Sequence, residues 1–400
     1  MYSTPTTLGV PSQDLLHVGT QRDIWSPLKL EALRDTLRRQ ARDERAKDRM
    51  VSLADTRFEF DDCGAAFVRF RGRSRFGRRR LMTAHAVKQV ASLVGTQASL
   101  AMLQDLVHGG EQADLKLASR VLQRLALRSD SDRKLRFRTA IRHCQPGGRQ
   151  RIVTAVLSDR YRPYDDAEFV AELVERIPKS DKLPVLSAWR TSEAFSLRMS
   201  LSPDEPEMCQ PFPMVEFRNS EVGAGSTTLS SGLFTLICTN GMHNWDDHSV
   251  YRWPHRGDPT RVREGVVTAL AQAQEQATVA QNDYLQAGKI VMGDSAEDID
   301  QWLSAQSRRL RLSGRFIRGV LEALEHPTTS RAEGGAFSLA SVVDAVTLYA
   351  QQAPFDERHD MERLAGRFLE EGTRHRREMS AYYAEMEAVM ADEVLTDVPF

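Results

Sequence analysis

Cysteine is scarce in this chain, and its spacing pairs none of it. Cys63, Cys144, Cys209 and Cys238 are scattered, with no CxxC among them. That excludes a zinc-ribbon spacing and suits a reducing compartment better than a disulfide scaffold. Long apolar runs are missing as well, and none approaches the roughly eighteen residues of a membrane span. The opening stretch "MYSTPTTLGVPSQDLLHVGT" has neither the basic start nor the apolar core of a signal peptide. These absences lead to the expectation of a soluble, cytoplasmic protein with no membrane partner. HExxH, a GxSxG elbow and a Walker A loop are all lacking, and the ten histidines are dispersed. The sequence therefore asks for no enzyme class and no cofactor.

Net charge is almost absent too, at −1 over 400 residues. The balance conceals a segregation. Between Phe67 and Arg162 stand 21 Lys+Arg against 6 Asp+Glu, whereas the remaining chain holds 33 against 49. A basic block of this kind points to a polyanionic partner, though not to any fold.

Within the block, "FVRFRGRSRFGRRR" (67–80) is half arginine. Arg69, Arg71, Arg73 and Arg75 alternate with Phe70, Gly72, Ser74 and Phe76, which is the period of a strand. Arg78, Arg79 and Arg80 continue the charge into the turn before a helix. About sixty residues on, "KLRFRTAIRHC" repeats the pattern. There Lys134, Arg136, Arg138 and Arg142 face away from Leu135, Phe137, Thr139 and Ile141, "QPGGRQ" supplies a turn, and "RIVTAVLSDRY" returns. Successive guanidiniums on one strand face stand about 6.6 Å apart and can each grip a phosphate bidentately. The plain alternative is a solvated edge strand whose charges prevent aggregation. Two arginine combs in one basic block favour polyanion binding, provided that they share a surface.

The rest of the chain sets the architecture. Residues 1–22 are polar and aperiodic, and "SPLKLEALRDTLRRQARDERAKDRM" reads as a helix entered by proline. Thr83 is placed to cap a helix over 84–94, and two more helices follow to about residue 128. After "DDAEFVAELVERI" come the strand-like runs "LSAWRTSEAFSLRMSLS", "FPMVEFRNSE" and "STTLSSGLFTLICTNG". From Pro259 the chain is helical throughout. The expected fold is α+β: a mixed, mainly antiparallel sheet core with flanking helices, then an all-helical C-terminal region. The expected division is 1–59 as an N-terminal arm and polar helix, 60–258 as the α/β core with the basic strands, and 259–400 as the helical region.

Two other constellations carry chemistry-bearing residue types. "CTNGMHNWDDHSVYRWPH" holds Cys238, His243, Asp247, His248 and His255, all of them side chains that ligate transition metals, but at no established metal spacing. "RNSEVGAGS" contains Gly223 and Gly225, too few glycines to define a phosphate loop. Asn240-Gly241 reads as a tight turn.

The motifs "AVLSDRYRPYDD", Asn219-Ser220-Glu221-x-Gly223 and Cys238-Thr-Asn240-Gly241 occur in this order. With "LMTAHAVKQVASLVG" before them and "SLASVVDAVTLYAQQ" after, the chain from Leu81 to Glu370 resembles the phage- and plasmid-encoded proteins that carry domain of unknown function 932. The resemblance implies a mobile-element origin and brings no catalytic residues. The leading expectation is a non-enzymatic, homo-oligomeric nucleic-acid-binding protein for single-stranded DNA in phage or plasmid replication or recombination, with single-strand annealing as one form. A metal-dependent nucleic-acid enzyme using the 238–255 loop and an oligomeric assembly or host-interaction protein are the competing readings.

Overall fold

Alternating apolar residues make two large sheets here, beside one small two-stranded sheet in the C-terminal part, and each large sheet buries one face under helices drawn from different parts of the chain. The structure, a computed structural model, describes residues 14–19, 30–45, 48–72, 77–94, 97–108, 111–128, 134–144, 148–158, 160–162, 164–176, 184–201, 212–235, 240–243, 250–255, 260–327, 329–353, 357–358 and 360–374. In chain order the elements are β1 (Asp14–Gly19), α1 (Leu30–Arg45), β2 (Arg49–Ser52), β3 (Thr56–Phe60), β4 (Ala66–Phe70), β5 (Arg80–Met82), α2 (Ala84–Val94), α3 (Gln97–His108) and α4 (Gln112–Arg128). Then follow β6 (Lys134–Cys144), β7 (Gly148–Leu157), α5 (Asp166–Arg176), β8 (Val185–Thr191), β9 (Phe195–Ser200), β10 (Phe212–Asn219), β11 (Thr227–Thr235), β12 (Asn240–His243) and β13 (Val250–Trp253). The C-terminal part contains α6 (Thr260–Ala287), β14 (Val291–Gly293), α7 (Ala296–Leu310), α8 (Gly314–Leu324), β15 (Phe337–Ser338), α9 (Leu339–Ala350) and a helix over 360–374, here α10. The fold is α+β.

The first sheet has the order β2-β6-β7-β5-β4-β3, antiparallel except for the parallel pair β5–β7. Its two edge strands are separated by only a 3-10 turn, Leu53–Asp55, so the sheet must curl until its edges approach. The Arg71 N–H donates to the Asp55 carbonyl at 2.8 Å, and the Phe70 and Phe137 rings meet edge to face at 5.0 Å although β5 and β7 lie between their strands. Val68, Met82, Phe137 and Val153 pack one face under α2, α3 and α4, where Val87, Val90, Leu103 and Leu122 are buried. The edge β3 is closed by α4. Gln123 Oε1 accepts from the Phe58 N–H and Ser119 Oγ from the Phe60 N–H, each at 3.0 Å.

The second sheet has the order β1-β8-β9-β10-β11-β12, with β13 also paired to β11, and all its pairings are antiparallel. Leu33, Leu37 and Ala41 recur at helical spacing on α1 and pack with Phe169 and Leu173 of α5 over Phe195, Leu197, Phe217 and Leu229. Val266, Ala269 and Ala273 of α6 complete the cover; small side chains let that helix lie close to the strands. A third core joins α6 to α10 through Val320, Leu324, Val343, Val346 and Phe368. No helix among the described residues is long and apolar enough to cross a membrane.

The first sixty residues depart from the expected arm and polar helix. Asp14–Gly19, read as aperiodic, pairs with β8, and α1 ends at Arg45, with 49–52 forming β2 against β6. Both strands owe their conformation to partners more than 80 positions away, which local periodicity does not report. Asn240 and Gly241, read as a tight turn, are strand residues opposite Thr235 and Phe234.

Candidate nucleic-acid interface

The face of the first sheet turned away from α2–α4 carries an apolar row: Phe67, Leu81, Ile152 and Ala140 on β4, β5, β7 and β6 cluster together. The neighbouring row is basic. Arg57 on β3 stands opposite Arg69 on β4, and the β4–β5 register continued by one residue sets Arg79 opposite Arg69. The Arg79 guanidinium lies 4.3 Å from the Phe67 ring centroid, which fixes it on this face. Beyond it the register reaches Gln150 on β7 and Arg142 on β6. Arg57, Arg69 and Arg79 thus form a cross-strand line about 10 Å long, from strand spacings of about 4.8 Å.

Electrostatically the line is only partly compensated. Glu59 accepts from the Arg69 Nε and forms an ion pair with the Arg57 Nε, each at 3.1 Å, and Arg71 lies 3.8 Å from Asp55 with both side chains exposed. Arg78 and Arg79 are exposed. Around the corner, Arg49 and Arg80 both face the Phe70 ring, at 5.3 and 5.4 Å. Burial and then the charges of Arg49 and Arg151 push the Arg80 guanidinium below its ordinary pKa. Crowded cations of this kind gain when an anion arrives. Arg73 and Arg75 lie outside the described residues, as does the Arg142 side chain.

The second comb divides. Lys134 is exposed and Arg136 half-buried, but Arg138 is 4% exposed and is not available on the surface. It lies on the face of the apolar row, on the side opposite the basic line, where the β10–β11 turn covers it. Its guanidinium donates to Asp165 at 2.9 Å and to the Glu221 carbonyl at 3.2 Å, and it reaches Asp48 at 3.5 Å. Against the penalty of burial, Glu221, Asp165 and Asp48 raise its pKa and hold it charged. This arginine therefore leaves the candidate contact set: a guanidinium engaged by three carboxylates in the interior is a structural cation.

The same turn explains Asn219-Ser220-Glu221-x-Gly223. Asn219 donates to the Tyr164 carbonyl (2.7 Å) and Asp166 (2.8 Å) and accepts from Thr227 (2.8 Å). Ser220 donates to the Glu193 carbonyl and accepts from the Ala224 N–H. Glu221 accepts from the Asp166 N–H at 2.7 Å and lies 3.4 Å from Arg190, which also binds Glu44 at 3.0 Å and Asp166 at 2.9 Å. Gly223 has φ 77°, and a Cβ there would sit 3.2 Å from the Tyr161 ring. A cavity of about 20 Å³, room for one water, remains among Glu44, Arg138, Asp166, Arg190 and Glu221. Burial and then the Glu221 charge push Asp166 up to about 8. Arg190, Glu44, Asp48 and Asp166 escaped the sequence reading because nothing local marks them; Arg57 was signalled by the alternation in "DTRFEF".

Among the described residues no group of three or more His, Cys, Asp or Glu side chains could hold a metal ion. Cys238, Asp247 and His248 lie outside the described residues, and only the backbone of His243 is described. His255 is buried and stacks on Tyr161 at 5.2 Å, with burial lowering its pKa. Comparison with known proteins finds no matching family model, no similar curated protein and no similar solved structure.

Proposed function

We propose that this chain is a non-enzymatic nucleic-acid-binding protein that holds single-stranded DNA on the basic face of its first sheet. The observation that carries the reading is the cross-strand line Arg57–Arg69–Arg79 beside an apolar row. Guanidiniums in register across three strands suit an extended phosphodiester backbone, and the buried Phe67 supports Arg79 from beneath. The motif resemblance to phage- and plasmid-encoded proteins supports a role in replication or recombination of a mobile element, with annealing by an oligomer as its concrete form.

Fluorescence anisotropy with labelled single- and double-stranded oligonucleotides across a salt series tests this. Each phosphate neutralised, with release of its counterions, contributes about 0.7 to the slope of log K against log salt for a single strand. Arg57→Gln/Arg69→Gln/Arg79→Gln is expected to weaken binding and lower the slope by about 2. No binding by the wild type at low salt, or an unchanged triple variant, overturns the proposal. Preference for duplex removes the annealing form alone.

A further inference from the structure

A second group of arginines gathers on the far side of the second sheet. Register sets Arg218 on β10 and Arg252 on β13 either side of Thr228, so both project from the face opposite α1, α5 and α6. Helix α10 crosses this polar face, anchored where the buried Arg198 binds Glu362. One turn apart on α10, Arg363 and Arg367 join the group. Burial, followed by the charges of Arg252, Arg218 and Arg367, lowers the Arg363 pKa against the opposing pull of Asp360.

Arg363 and Arg367 also line a groove of about 460 Å³ between α10 and the α7–α8 corner, within the range of small-ligand sites. A third arginine enters from that corner. Arg311 caps α7 with φ 55° and is the one non-glycine residue with positive φ among those described. The left-handed conformation ends the helix, with the Arg311 N–H donating to the Ser307 carbonyl. Phe316, Met361 and Leu364 give the groove an apolar wall, and Glu357 and Asp360 stand at its rim. The arrangement is cationic around an apolar slot, with acceptors beside it, and the cationic surface continues past the groove to Arg218 and Arg252.

We infer that this groove seats one nucleotide of a bound single strand. The base lies on the apolar wall, and Glu357 and Asp360 can accept from an exocyclic amino group. Arg311, Arg363 and Arg367 hold its phosphate, while Arg218 and Arg252 take the neighbouring phosphates along the sheet. A free mononucleotide would leave those last two arginines unused. The inference rests on the single-strand reading above and adds a second contact region to it.

Its test uses the full chain, a labelled oligodeoxycytidylate and the same salt series, with circular dichroism and melting temperature as folding controls. Arg363→Gln/Arg367→Gln, which removes two of the three cations on one phosphate, is expected to lower the slope of log K against log salt by about 0.7, and Arg252→Gln by about 0.7. Should the double variant fail to fold, the exposed Arg311→Gln and Arg252→Gln decide. Wild-type slopes in folded variants overturn this inference and leave the first-sheet reading standing. Absence of binding by the wild type overturns both. Competition by deoxycytidine monophosphate at concentrations equal to the oligonucleotide would also overturn it, because the extended contact would then contribute nothing.

Discussion

Replacing Arg190 by methionine tests whether the Asn-Ser-Glu motif is scaffold. Arg190 is 5% exposed, and its guanidinium meets Glu44 through two oxygens (3.0 and 3.3 Å), Asp166 at 2.9 Å and Glu221 at 3.4 Å. Methionine keeps the length and apolar stem but leaves three buried carboxylates with Arg138 as their nearest remaining cation, 3.7 Å from Glu221. Removing one partner from such a group costs about 3–5 kcal/mol, a large part of the roughly 5–15 kcal/mol that holds a domain folded. The loss should depend on pH. Without Arg190 the folded carboxylates take up protons more readily than in the unfolded chain, so the deficit is smaller at pH 5 and grows toward pH 8. Urea unfolding followed by tryptophan fluorescence measures it, since Trp189 adjoins the site. Arg71→Gln is the control: its pair with Asp55 is exposed on both sides, and less than about 1 kcal/mol is expected. An Arg190→Met deficit below about 1 kcal/mol at pH 8, or one equal at both pH values, would refute the scaffold account. A lowered salt slope of DNA binding in the folded variant would point instead to direct contact.

Three further outcomes follow from the same geometry. Gly223→Ala forces an L-residue to φ 77° against Tyr161 and should destabilise by about 1–3 kcal/mol, read as a lower urea midpoint. Asp166, at about 8 in the folded chain, keeps its proton where the unfolded carboxylate has lost it. Its contribution is therefore full below about pH 4 and is lost as pH rises through about 8, so a urea midpoint that rises across that window would contradict the assignment. Glu362→Ala leaves the buried Arg198 without its partner on α10, and protease should then cut the C-terminal helix faster than in the wild type, with a stability loss of about 3–5 kcal/mol.

What local pattern could report was legible. The β6–β7 hairpin follows from "KLRFRTAIRHC", and Thr83 accepts from the Ala86 N–H at 3.2 Å at the start of α2, as a capping residue should. The helical character after Pro259 is equally plain in the alanine ladder of α6. Long-range placement was not legible. Nothing in "DLLHVG" announces a partner at 187–191, and nothing in "SAWRT" shows that Arg190 will be enclosed while Arg71 stays in water. Alternation said which arginines share a strand face. It could not say what would be laid over that face.

That limit resolves the charge segregation. Ala140 on β6 aligns with Phe67 in the apolar row; two residues toward the C-terminus of β6, Arg142 falls in line with Arg69 and Arg79, and two residues the other way is Arg138. Both belong to one comb on one sheet face, yet the first joins the basic line and the second is sealed under the β10–β11 turn. A β-bulge between Arg138 and Thr139, where β7 carries the extra Thr154, lies at this division. One strand thus supplies both the cation that locks the two sheets together and a register position in the cationic line. Loosening the Glu221 clamp should disturb the alignment of the basic line even though no residue of the clamp belongs to it. A shift in DNA affinity with Glu221→Gln, at unchanged salt slope, is the signature of that coupling; a changed slope would mean that phosphate contacts themselves had been lost.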